Sequence, residues 1–174
     1  MPAKELLSKL CRSRILSAVL LLLSSIGLGV LSLHFAAVLR ADEMFDSYFE
    51  NHWIAFLNIL PCVWLAFLLW FATRRAALSF ALTSAVVMGL SIASWFKLQF
   101  RNDPLLFEDL LLIKEAGNMS ERYTLFVTKS MIAALVILLV AVAVLAFVAR
   151  GRLPGKARII GCVVMLVLLV PMVY

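Results

Sequence analysis

The 174-residue chain is 64% hydrophobic and 15% charged, with a net charge of +6. A soluble domain carries about 25% charged residues, so this apolar share exceeds what one water-soluble core can hide. The basic residues gather at the ends of apolar runs and form no long stripe, a pattern that sets membrane orientation and speaks against nucleic acid as a partner.

Residues 15–39 form the first apolar run, preceded by Lys4, Lys9, Arg12 and Arg14. It is far longer than the 7–15-residue core of a signal peptide and no small-x-small cleavage site follows, so it reads as a retained span. His34 lies near its outer end and reads as an interfacial residue. An acidic loop follows, with Asp42, Glu43, Asp46 and Glu50. The second span covers 53–72. Trp53 and Trp70 mark its ends, as aromatic rings do at membrane interfaces, and Pro61 is expected to kink or loosen it. Arg74 and Arg75 make a tight turn into the third span, 76–96.

Within that span Ala77, Ala81, Ala85, Gly89 and Ala93 recur at spacing four. Small side chains let membrane helices approach closely, so Ala81, Ala85, Gly89 and Ala93 are predicted to form a packing seam. The first span has the shorter pair Ser25 and Gly29. The fourth span covers 130–149. After a linker with Arg150, Arg152, Lys156 and Arg158, in which Pro154 and Gly155 make a turn, the last run covers 159–174 and is marginal for a full crossing of about 30 Å. Cys11, Cys62 and Cys162 lie far apart and read as small packing residues.

The fold class expected is an all-α integral membrane bundle of five spans, the fifth clipped. With the N-terminus in the cytoplasm, the cytoplasmic segments hold ten of the sixteen basic residues and one acid, Glu5. Lys and Arg in short cytoplasmic loops fix orientation, so this placement is favoured and puts the C-terminus on the exterior. No acid or base lies deep in a span, which argues against a pump or ion-coupled transporter.

The exterior segment 97–129 is the one rich in charge. Asp103 suits a helix N-cap with Pro104 at the first helical position, and Gly117 and Asn118 suit a stop. An amphipathic helix over about 104–116 is predicted, too short to span and expected at the outer interface. Three readings fit the charged residues Lys97, Arg101, Asp109 and Glu115. One is a solvated face with local ion pairs, for instance Lys97 or Arg101 with Asp109. A second is contact of Lys97 and Arg101 with lipid headgroups. A third is a catalytic acid pair, which no histidine, metal-ligand cluster or glycine-rich phosphate loop supports.

The run Lys97-x-x-x-Arg101-x-x-Pro104-Leu105-x-x-x-Asp109-Leu110, followed by Lys114-Glu115-Ala116 and Asn118-Met119, resembles the region after the third span in lipoteichoic acid synthase-like proteins, membrane-embedded phosphoglycerol transferases of the sulfatase-like superfamily. The resemblance covers about 25 residues in motif and nearly the whole chain in layout. It implies a five-span N-terminal region in a bacterial cell membrane, followed by an extracellular domain that moves glycerol phosphate from phosphatidylglycerol onto a growing polymer. That domain uses a threonine nucleophile and a divalent metal, typically manganese. Its catalytic and metal-binding residues have no counterpart in these 174 positions, so no catalytic residue, cofactor or metal site is expected in this chain. The expected partners are membrane lipids, phosphatidylglycerol among them. The competing expectation is a complete small multi-pass protein that binds or regulates another membrane complex through its small-residue seam.

Overall fold

The computed structural model describes residues 13–36, 49–101, 105, 106, 109, 127–151 and 153–169. The described helices are α1 (Arg14–Ala36), α2 (His52–Thr73), α3 (Ala76–Arg101), α4 (Lys129–Val148) and α5 (Gly155–Val167). The first four are long and apolar enough to cross a membrane. Their outer faces carry Leu23, Phe56, Val86, Leu135, Leu139 and Phe147, all exposed. Water would not tolerate so continuous an apolar surface, and lipid does. The chain is an all-α membrane bundle.

The helix ends follow local chemistry. The Asn51 side chain accepts the Trp53 N–H at 3.0 Å and starts α2, and Thr128 caps α4 through the Met131 N–H. Both satisfy donors that a first helical turn leaves open. α2 runs unbroken through Pro61, which sits exposed on its outer face. It ends at Arg74, whose φ of 63° puts a non-glycine residue in the left-handed region, with its N–H on the Trp70 carbonyl at 2.8 Å. That geometry costs an ordinary residue about 1–2 kcal/mol. It is what folds α3 back along α2 after so short a turn.

Two boundaries differ from expectation. α3 continues to Arg101, five residues beyond the apolar run. Residues 97–101 contain no glycine or proline, so the helix persists where its hydrophobic character stops. At 26 residues it is about 39 Å long and outreaches a hydrocarbon core of about 30 Å. α5 begins at Gly155, not at 159, with Pro154 as its N-cap residue in place of a turn at 154–155. A Cβ on Gly155 would lie 3.2 Å from Arg74 Nη2, so the turn after α2 and the start of α5 meet at one end of the bundle. The predicted stretches 37–39 and 170–174 fall outside the described residues.

α3 packs on α1, α2 and α4; α1 also touches α2 and α4, and α5 lies on α2. The buried residues of α1 are Ser17, Leu21, Ser25, Leu28, Gly29 and Phe35, spaced so that one side faces inward. The buried residues of α3 are Ala76, Ser79, Phe80, Thr83, Ser84 and Met88. This corrects the expected seam. Ala85, Gly89 and Ala93 are exposed, Ala81 is half-buried, and a Cβ on Gly89 would meet nothing. The alanine row lies about 100° round the helix from Phe80, Ser84 and Met88. Hydroxyl-bearing residues won the interface because each is small and carries its polarity into a self-made bond. Ser17 donates to the Ser13 carbonyl at 3.1 Å, Thr83 to Ser79 at 2.9 Å and Ser84 to Ala81 at 3.0 Å. Ser79 reaches across and donates to the Ala66 carbonyl of α2. The shorter pair in α1 does pack: Ser25 is fully buried, and a Cβ on Gly29 would stand 3.2 Å from Ile59 of α2.

Among the described residues, a polar bond fastens α5 to α2. The Trp64 indole N–H donates to the Met165 carbonyl at 2.7 Å. That carbonyl lies in the last turn of α5, and the Leu169 N–H bonds Leu166 instead, so Trp64 supplies its donor. Trp64→Phe keeps an aromatic side chain but removes the donor and part of the ring. It is expected to lower stability in a detergent melt by about 0.6–2 kcal/mol. A melt identical to that of the parent would show that the bond contributes nothing.

Candidate functional site

The charged segment after α3 is held against that helix by a small polar cluster. Lys97, one turn before the end of α3, places Nζ 2.6 Å from Asp109 Oδ2. The same oxygen accepts the Leu106 N–H at 2.7 Å, and the Asp109 N–H reaches back to the Leu106 carbonyl at 3.1 Å. Nearer the membrane, the Leu105 N–H approaches Ser94 Oγ at 3.4 Å. The extension of α3 past the apolar run brings Lys97 to this position, three residues beyond Ser94. Trp95 and Phe96 stack edge to face beside them, with ring centroids 5.0 Å apart, as aromatic residues do at a membrane interface.

The carboxylate of Asp109 acts as a helix-start device. Its side chain accepts from a backbone N–H three residues earlier, which is the reciprocal half of a capping box. Leu105 and Leu106 are non-helical, whereas Asp109 is helical. Asp103 and Pro104, the predicted cap and first helical position, lie outside the described residues. The rest of the predicted helix over 104–116 lies outside the described residues, as do Glu115 and the side chain of Arg101.

The two charged side chains are 15% and 25% exposed, so the pair is shielded from bulk water on most sides. A hydrogen bond to a charged group contributes about 1.5–3 kcal/mol, well above the usual surface ion pair. Of the three readings of this segment, the geometry displays the ion pair. Lys97 spends its charge on Asp109, which leaves little for a lipid phosphate. Among the described residues no three His, Cys, Asp or Glu side chains converge on one point. Among the described residues the arrangement positions a segment. Ser94 and the backbone of Leu106 belong to the cluster without any sequence signal, because a serine bonding a backbone amide eleven residues away has no fixed spacing.

At the opposite end of the bundle the start of α3 and the end of α4 leave a groove of about 510 Å³. Arg75 and Arg150 flank it, and Ala77, Ala81, Ala146 and Gly151 are among its walls. The predicted cytoplasmic arginines are thereby drawn together, a proximity that their separation by 75 positions in the sequence hides.

Against protein-family models, curated proteins and solved structures, the chain has no match.

Proposed function

We propose that this bundle is the membrane-anchoring region of a lipoteichoic acid synthase-like phosphoglycerol transferase in a bacterial cell membrane, with its N-terminus cytoplasmic and the 97–129 segment on the exterior. The observation that carries the reading is the Lys97–Asp109 ion pair. It joins two charged positions of the motif on which the resemblance rests, and so gives the spacing between them a physical task. In this reading the anchor supplies no chemistry. It holds an exterior catalytic domain near the outer leaflet, where phosphatidylglycerol is the donor, and the divalent metal belongs to that domain.

The test is a chimera. The chain replaces the membrane region of an active transferase of this class, in cells lacking their own copy. Restored glycerol phosphate polymer is the expected result. A chimera that inserts at normal abundance yet makes no polymer overturns the proposal.

A second reading draws on the exposed row Ala85, Gly89 and Ala93. Such a row facing lipid suits close packing against a helix of another membrane protein, and the chain would then bind or regulate a membrane complex. Ala85→Leu with Gly89→Leu would abolish that association and leave the isolated bundle folded. A co-purifying partner retained by this double variant would rule the reading out.

A further inference from the structure

We infer that the groove between α3 and α4 is a binding site for one anionic phospholipid of the leaflet at the arginine-rich end. This does not depend on the proposal above. Two features with opposite chemistry meet in the groove. Arg75 and Arg150 stand at its mouth, both exposed, and neither is in an ion pair with another described residue. Below them the walls are apolar and mostly short: Ala77, Ala81 and Ala146, with Leu78 and Val142. Short side chains on two facing helices leave room that neither helix fills, and the groove's volume of about 510 Å³ falls in the range of ligand sites.

An occupant must be anionic at one end and apolar along its length. A soluble anion meets the first demand only, and a neutral lipid the second only. A phosphate placed between two guanidinium groups is bound by charge-assisted bonds, while an acyl chain lies along the alanine walls. Arg74 and Arg158 stand at the same end of the bundle and add to the local positive potential without lining the groove. Basic pockets between membrane helices at a cytoplasmic face are suited to anionic headgroups for this reason.

The test uses the full chain in nanodiscs of mixed phosphatidylglycerol and phosphatidylcholine, released into a native mass spectrometer. One phosphatidylglycerol is expected to stay bound in preference to phosphatidylcholine. Arg75→Gln or Arg150→Gln should weaken its retention about fivefold, and both together about 30-fold. Arg158→Gln, which removes a charge outside the groove, should leave retention within about twofold of the parent. Ala81→Phe keeps both arginines but fills the apolar part, and should lower retention as strongly as the double arginine change. A thermal melt of each variant, matched to the parent, shows that the bundle is intact. Equal retention of the two lipids overturns the inference, as does a loss with Arg158→Gln as large as with Arg75→Gln. Displacement of the lipid by soluble glycerol phosphate at comparable concentration would overturn it too, since the apolar walls would then contribute nothing.

Discussion

Gly161→Leu is expected to detach α5 from the rest of the bundle. A Cβ at position 161 would run into the Phe71 ring at Cδ1, Cε1 and Cγ. The collision is with the body of the ring, so no small rotation of its far edge relieves it. Phe71 is also confined by Trp70, whose ring lies 5.8 Å away. Overpacking a tight contact costs about 1–3 kcal/mol, and leucine adds three further carbons to the clash. Because α5 packs on α2 and is bonded there by Trp64, the loss should stay local. The measurement is maleimide labelling of Cys162 in detergent, with Cys11 and Cys62 replaced by serine. Cys162 is half-buried in the parent, and its labelling should accelerate at least tenfold while α1–α4 melt as before. Labelling at the parental rate would mean that α5 is not seated on Phe71.

Lys97→Glu is expected to release the segment at 105–109. The substitution sets a carboxylate against Asp109, whose Oδ2 lies 2.6 Å from the present ammonium. The lost charge-assisted bond alone is worth about 1.5–3 kcal/mol, and like-charge repulsion adds to it. Leu105 is half-buried in the docked state. A cysteine placed there should react with aqueous maleimide about 30-fold faster in the Lys97→Glu background, the factor that corresponds to about 2 kcal/mol. The exchanged pair, Lys97→Asp with Asp109→Lys, should recover part of the protection, and the cycle isolates the coupling between the two residues. Asp109→Asn separates the roles, since it leaves an acceptor for the Leu106 N–H and removes the charge facing Lys97. No change in labelling with Lys97→Glu would show that the ion pair does not hold the segment.

The four long helices were legible because lipid demands long uncharged runs, and such runs survive any detail of packing. α2 and α4 lie within a residue of the expected spans, since Asn51 and Thr128 are strong local start signals. The end of α3 was not legible from hydropathy, which marks where lipid stops and says nothing of where hydrogen bonding stops. Nor was the inward side of α3. Both the alanine row and the hydroxyl row are made of small residues, and the choice between them depends on what α1 presents. Serines at 17 and 25 in α1 and at 79 and 84 in α3 were the available signal. The left-handed Arg74 had no signal at all, because that conformation usually selects glycine. At the candidate site the Lys97–Asp109 partnership was among the pairs that spacing allowed, while the predicted cap at Asp103 and Pro104 lies outside the described residues.

The polar bonds of the bundle also impose an order on its assembly during synthesis. Most buried hydroxyls already hold a carbonyl of their own helix and enter lipid with that donor met. Ser79 finds Ala66 only 13 residues back, across the turn at Arg74 and Arg75, so α2 and α3 close as a hairpin soon after both leave the ribosome. Trp64 is different. Its acceptor lies 101 residues downstream, and its indole N–H waits in the membrane until α5 has been made. The bundle is therefore expected to gain its Trp64 fluorescence signature last. Nascent chains halted before α5, with the other three tryptophans replaced, should show an indole spectrum that changes only when residue 165 has emerged.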